Sequence, residues 1–231
     1  MPRRDDLNRL YGLLAELQRR LGGTRLLRDS AGRSGWPARG VYFFFESGEV
    51  REDGRTPRVV RVGTHAVSTG SKTTLWNRLA LHRGRAAGGG NHRASVFRRH
   101  IGGALLKARP DEFSTASASW SRVDTASRRS RPRERELEHE VSRYLGGLPF
   151  LWLAVDDAPS RSSLRHTIEC NTVALLSNAG KPPIDPPSPA WLGWDATNAA
   201  IAESGLWNVN FVYDTYDPAV LDVLEEQIRM L

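Results

Sequence analysis

Leu7, Leu10, Leu14, Leu17 and Leu21 recur at helical spacing, which predicts an amphipathic helix over residues 5–21, ended by Gly22-Gly23. After a loop to Pro37, residues 41–45 form a short, unbroken apolar run rich in aromatics, the pattern of a buried strand. A polar stretch with Asp53-Gly54 turns the chain, and residues 59–62 give a second strand, the antiparallel partner of the first. The helical period returns over residues 73–83, with Leu75 and Leu79 as core stripe and Ser71 or Thr73 as candidate N-cap. The glycine-rich stretch 84–90 ends it, and residues 95–106 predict another helix. Residues 113–133, rich in Ser and Arg with weak periodicity, read as a long loop or partly ordered insertion. Leu137, Val141, Tyr144 and Leu145 place a helix over residues 134–145. A buried strand follows over 148–155 and an apolar helix over 164–177. Proline-rich residues 181–189 read as a linker. The tail offers a strand over 207–212, then a closing helix striped by Val220, Leu221, Leu224 and Ile228, with Pro218 suited to its first position. Trp191, Trp194 and Trp207 read as core of this tail.

At 231 residues the chain suits one α+β domain: a small, mainly antiparallel sheet of three strands flanked by helices. Its expected parts are an N-terminal helical extension (1–36), a core (37–180) with an insertion at about 84–133, and an acidic extension (181–231) packed on the core. No run resembles a membrane span or secretory leader, despite Arg3-Arg4. Cys170 is alone, so neither an internal disulfide nor a cysteine-rich zinc site is available, which fits a reducing, cytoplasmic location.

Charge changes the picture. The formal charge of +7 hides a sharp asymmetry. Residues 54–110 hold twelve Arg or Lys, four of the six histidines and no carboxylate. Residues 182–231 hold eight carboxylates against Arg229 alone. A basic stretch of this length is an electrostatic footprint for a polyanion. Only Lys72, Lys107 and Lys181 are lysines, and the planar guanidinium matches phosphate oxygens in bidentate fashion.

Three short islands stand in order: Gly40-Val41-Tyr42 opening the first strand, Arg61-Val62-Gly63 ending the second, and Arg78 and His82 one turn apart on the following helix. Glu169 follows on a later helix as the only acid between Asp157 and Asp185, where a carboxylate is costly unless it is paired or metal-bound. Each residue alone also has an ordinary structural reading; Glu169, for instance, has Arg165 one turn earlier as a possible partner. Thr69-Gly70-Ser71-Lys72-Thr73 hints at a phosphate loop, but Ser71 breaks the required spacing.

The ordered set resembles the GIY-YIG nuclease family over residues 40–178. Gly40-Val41-Tyr42 and Arg61-Val62-Gly63 match its two tripeptides, Arg78 and His82 its helix pair, and Glu169 its metal-binding glutamate; Asn178 is a looser match. The family's second tripeptide begins with tyrosine where this chain has Arg61. The resemblance implies cleavage of nucleic-acid phosphodiester bonds, with DNA as substrate and RNA not excluded. Catalytic residues are expected to be Tyr42, Arg61, Arg78, His82 and Glu169. Tyr42 would act as base once nearby cations lower its pKa, Arg78 as phosphate stabiliser, and Glu169 as one hard oxygen ligand for Mg²⁺ or Mn²⁺. Arg83, Arg85, His92, Arg93, Arg98 and Arg99 are expected to track the nucleic-acid backbone. Two rivals stand beside this: a binding module that has lost activity through Arg61, and a structural protein whose acidic tail covers its basic face.

Overall fold

The computed structural model describes residues 2–120 and 130–231. Its elements run α1 (Pro2–Arg20), β1 (Arg25–Leu26), β2 (Gly40–Val50), β3 (Pro57–Gly63), α2 (Leu75–Arg83), α3 (Val96–Ala108), α4 (Ser114–Trp120), α5 (Ser130–Gly146), β4 (Pro149–Ala154), α6 (Leu164–Leu176), α7 (Ala199–Ser204) and α8 (Val220–Arg229). The strands form one antiparallel sheet in the order β1-β4-β2-β3. It has four strands rather than the three expected, the extra one being only Arg25–Leu26.

The apolar run of β2 is explained by layers on both faces of the sheet. Val41, Phe43 and Phe45 of β2 join Leu151 and Leu153 of β4 beneath α1, α6 and α8. Tyr42 and Phe44 point the other way with Phe150 and Trp152, beneath α2, α3, α4 and α5. Alternation therefore carries no polar face to read, because successive side chains enter two different cores.

Four expectations need correction. Residues 113–133 do not form a loop throughout. Phe113, Ala116 and Trp120 are buried at helical spacing and make α4, and α5 begins at Ser130; residues 121–129 lie outside the described part. Thr74, not Ser71 or Thr73, caps α2, through a reciprocal capping box with Asn77. Residues 207–212 make no strand, because Phe211 takes a left-handed φ of 66°. They cross the free edge of β3 instead: the Trp207 N–H donates to the Val60 carbonyl at 2.7 Å, and the Asn208 amide accepts from the Val62 N–H and donates to its carbonyl. That arrangement covers an edge that would otherwise be open to pairing. Finally, residues 181–189 pack against the body: Asp185 is buried and ion-paired to Arg51 at 2.6 Å, and the Ser188 hydroxyl donates to Glu49. Pro218 lies just before α8, and Trp194 is 43% exposed, whereas Trp191 and Trp207 are core.

The acidic tail does not blanket the basic window. Asp222 and Glu225 pair with Arg9 of α1, and Asp185 with Arg51 of the β2–β3 connection. Among the described residues, Asp195 is the one carboxylate of the tail that pairs with a cation of residues 54–110, at 3.8 Å from Lys107. Also among these residues, no helix is long and apolar enough to cross a membrane.

Candidate active site

The site forms where β3 ends beside the start of β2. Tyr42 lies opposite Gly63 in the register, and its ring folds across that glycine. A β-carbon on Gly63 would stand 2.5 Å from Tyr42 Cζ and 2.7 Å from Cε2, so only glycine leaves room for the phenol. Gly40 has the same kind of reason: a β-carbon there would collide with the Leu153 carbonyl of β4. The Thr64 hydroxyl donates to the Gly40 carbonyl at 2.9 Å and ties the two strand ends together.

Tyr42 is buried, and its Oη lies 2.9 Å from His82 Nε2. His82 is reached from α2 and is itself enclosed by edge contacts with Tyr42 and Phe97. Its other nitrogen, Nδ1, lies 2.8 Å from the hydroxyl of Ser95, the N-cap of α3. Arg98, one turn into α3 and fully buried, donates to the His82 carbonyl at 2.9 Å. The same guanidinium binds the Glu138 carboxylate at 2.6 Å and the Ser142 hydroxyl, which locks α2, α3 and α5 together.

Glu169 comes from α6, on the opposite face of the sheet from α2. It reaches the site around the end of β3, where its Oε1 accepts from the Thr64 N–H at 3.2 Å. It does not pair with Arg165. That arginine is buried, binds Asp157, and donates to the carbonyls of His65 and Ala66. Arg165 and Glu169, one turn apart, thus grip successive residues of the loop after β3, where Ala66 holds a strained left-handed φ of 54°.

Arg61 donates to the Trp207 carbonyl and lies over the Phe97 ring, 4.6 Å from its centroid. The Arg78 side chain makes no hydrogen bond or ion pair among the described residues, and its Nε is buried and unpartnered. Burial raises the Tyr42 phenol above its ordinary value; the charges of Arg61 and then Arg78 oppose this, and Glu169 adds to the rise. The expected net lowering by the two arginines is therefore not met by the protein alone: desolvation of a fully buried phenol outweighs them. Burial, followed by the charges of Arg61, Arg78 and Arg98, holds the His82 imidazole well below its usual value and so neutral. Of the five, Tyr42 and His82 are in direct contact.

A family model for the GIY-YIG domain matches residues 1–231. The chain belongs to the GIY-YIG domain family. Comparison with curated proteins and with solved structures found no match. The family match runs through α1 and the acidic tail, beyond the residues 40–178 over which the resemblance was legible. GIY-YIG proteins are generally endonucleases that depend on a divalent metal.

The donor set of this GIY-YIG domain fits a hydrated divalent cation. Glu169 has one oxygen engaged by Thr64; the other lies 3.8 Å from His166 Nδ1, outside hydrogen-bond reach. Among the described residues, no group of three or more His, Cys, Asp or Glu side chains is arranged to hold an ion. A cation here would rest on a single protein carboxylate and keep most of its water, which Mg²⁺ tolerates well. Asn178 does not join the site; it accepts from the Ile184 N–H and from Arg3, fixing the start of the tail.

The expected backbone-tracking residues divide. His92 and Arg98 are buried on Glu138, and His92 stacks on Trp120 at 3.8 Å. Arg93 forms a bidentate pair with Glu134. His92 and Arg98 hold the α3–α5 layer together and do not face solvent, which corrects the expectation for them, whereas Arg93 is partly exposed and lines a cleft with Arg85 and Arg131. Arg83, Arg85 and Arg99 make no side-chain hydrogen bond or ion pair among the described residues. Arg83 and Arg85 line a cleft of about 630 Å³ between the glycine-rich loop and α5, joined by Arg28 and Arg135. Arg99 lines a separate cleft with His100 and Lys107. Sequence reasoning missed Thr64, Ser95 and Arg135. Only Ser95 carried a signal, as a serine at the start of a predicted helix.

Proposed function

We propose that this protein is a metal-dependent endonuclease that hydrolyses DNA phosphodiester bonds. The observation that supports it most is the convergence on the end of β3: Tyr42 of β2 bonds His82 of α2 opposite Gly63, and Glu169 of α6, from the other face of the sheet, accepts from the Thr64 N–H. Hydrolysis needs a base near the attacking water, positive charge for the phosphate oxygens, and help for the leaving group. Tyr42, as phenolate, takes the proton of the water. Arg78, whose side chain has no hydrogen-bond or ion-pair partner among the described residues, meets the charge that builds on the phosphate. Arg61, anchored on Trp207 and Phe97, adds fixed positive potential beside Tyr42. Glu169 holds Mg²⁺ or Mn²⁺, whose contribution when bound is polarisation of the phosphoryl group and support for the leaving oxygen. Arg83, Arg85, Arg135 and Arg99 hold the backbone and set its position without reading sequence.

The test is cleavage of labelled DNA with Mg²⁺ or Mn²⁺, in duplex, branched and single-stranded form, with RNA as a comparison arm. Glu169→Gln and Arg78→Ala should each abolish cutting while binding persists; an unchanged rate in either ends the site assignment. A second reading, a binding module without activity, is favoured by Arg61 standing where the family has tyrosine. It predicts binding without cutting under every metal condition.

A further inference from the structure

We propose that His166 is a second protein ligand for the cation on Glu169, and that its imidazole tilts the site toward Mn²⁺ over Mg²⁺. This deepens the metal-dependent reading above and rests on Glu169 being where the cation binds.

His166 and Glu169 stand three residues apart on α6, a spacing that sets two side chains on one face of a helix. Glutamate and histidine at that separation is a pairing that metal-binding helical proteins use to present an oxygen and a nitrogen to one ion. The His166 side chain keeps 24% of its surface, yet its Nδ1 is buried and has no hydrogen-bond partner among the described residues. A buried polar nitrogen left unpartnered is costly. Glu169 Oε2 lies 3.8 Å from it. That is too far for a hydrogen bond, which needs about 3.2 Å or less. One ion can bridge it: metal–nitrogen and metal–oxygen bonds of about 2.0–2.2 Å each reach donors up to about 4.2 Å apart.

Both side chains are braced where they stand. Glu169 Oε1 accepts from the Thr64 N–H at 3.2 Å, which leaves Oε2 as the free oxygen. The His166 ring meets Phe211 edge-on, with centroids 5.4 Å apart. Phe211 holds a left-handed φ of 66°, a strained conformation for a bulky residue. An imidazole beside the carboxylate changes which ion fits. Mg²⁺ takes oxygen ligands and gives up water reluctantly, whereas first-row transition ions accept nitrogen as well. The rival use of the same two atoms is a long ion pair of imidazolium with carboxylate. It has the opposite sign, because removing a cation from beside Glu169 would free the acid to bind metal.

The test reads metal binding on the intact chain, without nucleic acid. Mn²⁺ is added to protein carrying nitrogen-15 histidine, and pulsed electron paramagnetic resonance reports whether a histidine nitrogen is bonded to the ion. One bonded imidazole is expected in the parent and none in His166→Phe, which keeps a ring against Phe211. Calorimetric titration should show Mn²⁺ binding weakened about 10-fold or more in His166→Phe, and Mg²⁺ binding weakened less. His166→Asp, which offers oxygen in place of nitrogen, should move the preference toward Mg²⁺. No bonded histidine in the parent, a bonded histidine that survives in His166→Phe, or Mn²⁺ binding unchanged or tighter in His166→Phe would overturn the ligand. An unchanged Mn²⁺-to-Mg²⁺ ratio in both variants would overturn the selectivity. Should His166→Phe not fold, the parent spectrum and the same measurements on His166→Gln decide the matter. Mn²⁺ held by His166 in a protein that never cuts would remove the nuclease reading and leave the ligand assigned. Cutting that depends on Glu169, with no histidine on Mn²⁺, would do the reverse.

Discussion

Replacing Gly63 by alanine probes the strand-end geometry with a single methyl group. The new carbon would lie 2.5 Å from Tyr42 Cζ and 2.7 Å from Cε2, far inside van der Waals contact. The phenol has little room to yield, because Phe44 and His82 meet it edge-on with centroids 5.5 and 5.6 Å away. Gly63 does not use a left-handed φ, so alanine meets no backbone strain there and the collision stands alone. Overpacking of this kind costs about 1–3 kcal/mol. Displacing Oη from His82 leaves a buried hydrogen bond unmade, which adds about 1 kcal/mol or more. We expect Gly63→Ala to lose about 2–4 kcal/mol in urea unfolding with an unchanged m-value. Tyr42→Ala removes the colliding ring, so Gly63→Ala on that background should cost little. The double-mutant cycle should then give a coupling of about 2 kcal/mol or more. Additivity to within about 0.5 kcal/mol would refute the geometry.

Stability should also respond to pH. Burial, then Arg165, lowers His65 to about 4, and burial, then Arg61, lowers His100 to about 4. Both sit below the unfolded value near 6.5, so between about pH 6.5 and pH 4 the folded state binds fewer protons than the unfolded state. Their contribution is complete above about pH 6.5 and is lost on the way down to about pH 4, costing about 2 kcal/mol per histidine by about pH 5. Urea melts across this range should show the decline; equal stability at both ends would contradict it. Arg98→Met should cost about 3–5 kcal/mol by leaving the Glu138 carboxylate buried without its cation, and Glu138→Leu added to it should recover part of the loss. Chemical denaturation of the single and double variants checks this, and a near-neutral Arg98→Met would count against the hub.

Much of this fold was legible because its elements carry strong local signals. The leucine stripe of α1, the apolar runs of β2 and β4 and the stripe of α8 all appear where periodicity puts them. What was hidden depended on tertiary partners. α4 has only Phe113, Ala116 and Trp120 as apolar marks in a serine-rich stretch. The segment after Trp207 carries strand-like residues but uses the Asn208 side chain in place of a backbone ladder. In the site, the tripeptides and the Arg78–His82 spacing were visible, since one strand turn or one helix turn fixes them. The route of Glu169 around the end of β3 was not visible, because α2 and α6 lie on opposite faces of the sheet and only the Thr64 contact brings the acid home. Charge counting likewise failed to separate Arg83 and Arg85, which line a cleft, from Arg98, which is fully buried on Glu138. A guanidinium looks the same in sequence whether its partner is a phosphate or a carboxylate forty residues away.

The central claim is that one cation on Glu169 sits within reach of Tyr42 and the end of β3. Titration of Mn²⁺ into isotope-labelled protein, followed by NMR, reads that position directly through paramagnetic broadening. The amides of Gly63 and Thr64 and the ring of Tyr42 should broaden first in the parent protein and stay sharp in Glu169→Gln. Broadening centred on another carboxylate, such as Glu136 beside the basic cleft, or an identical pattern in both proteins, would contradict it.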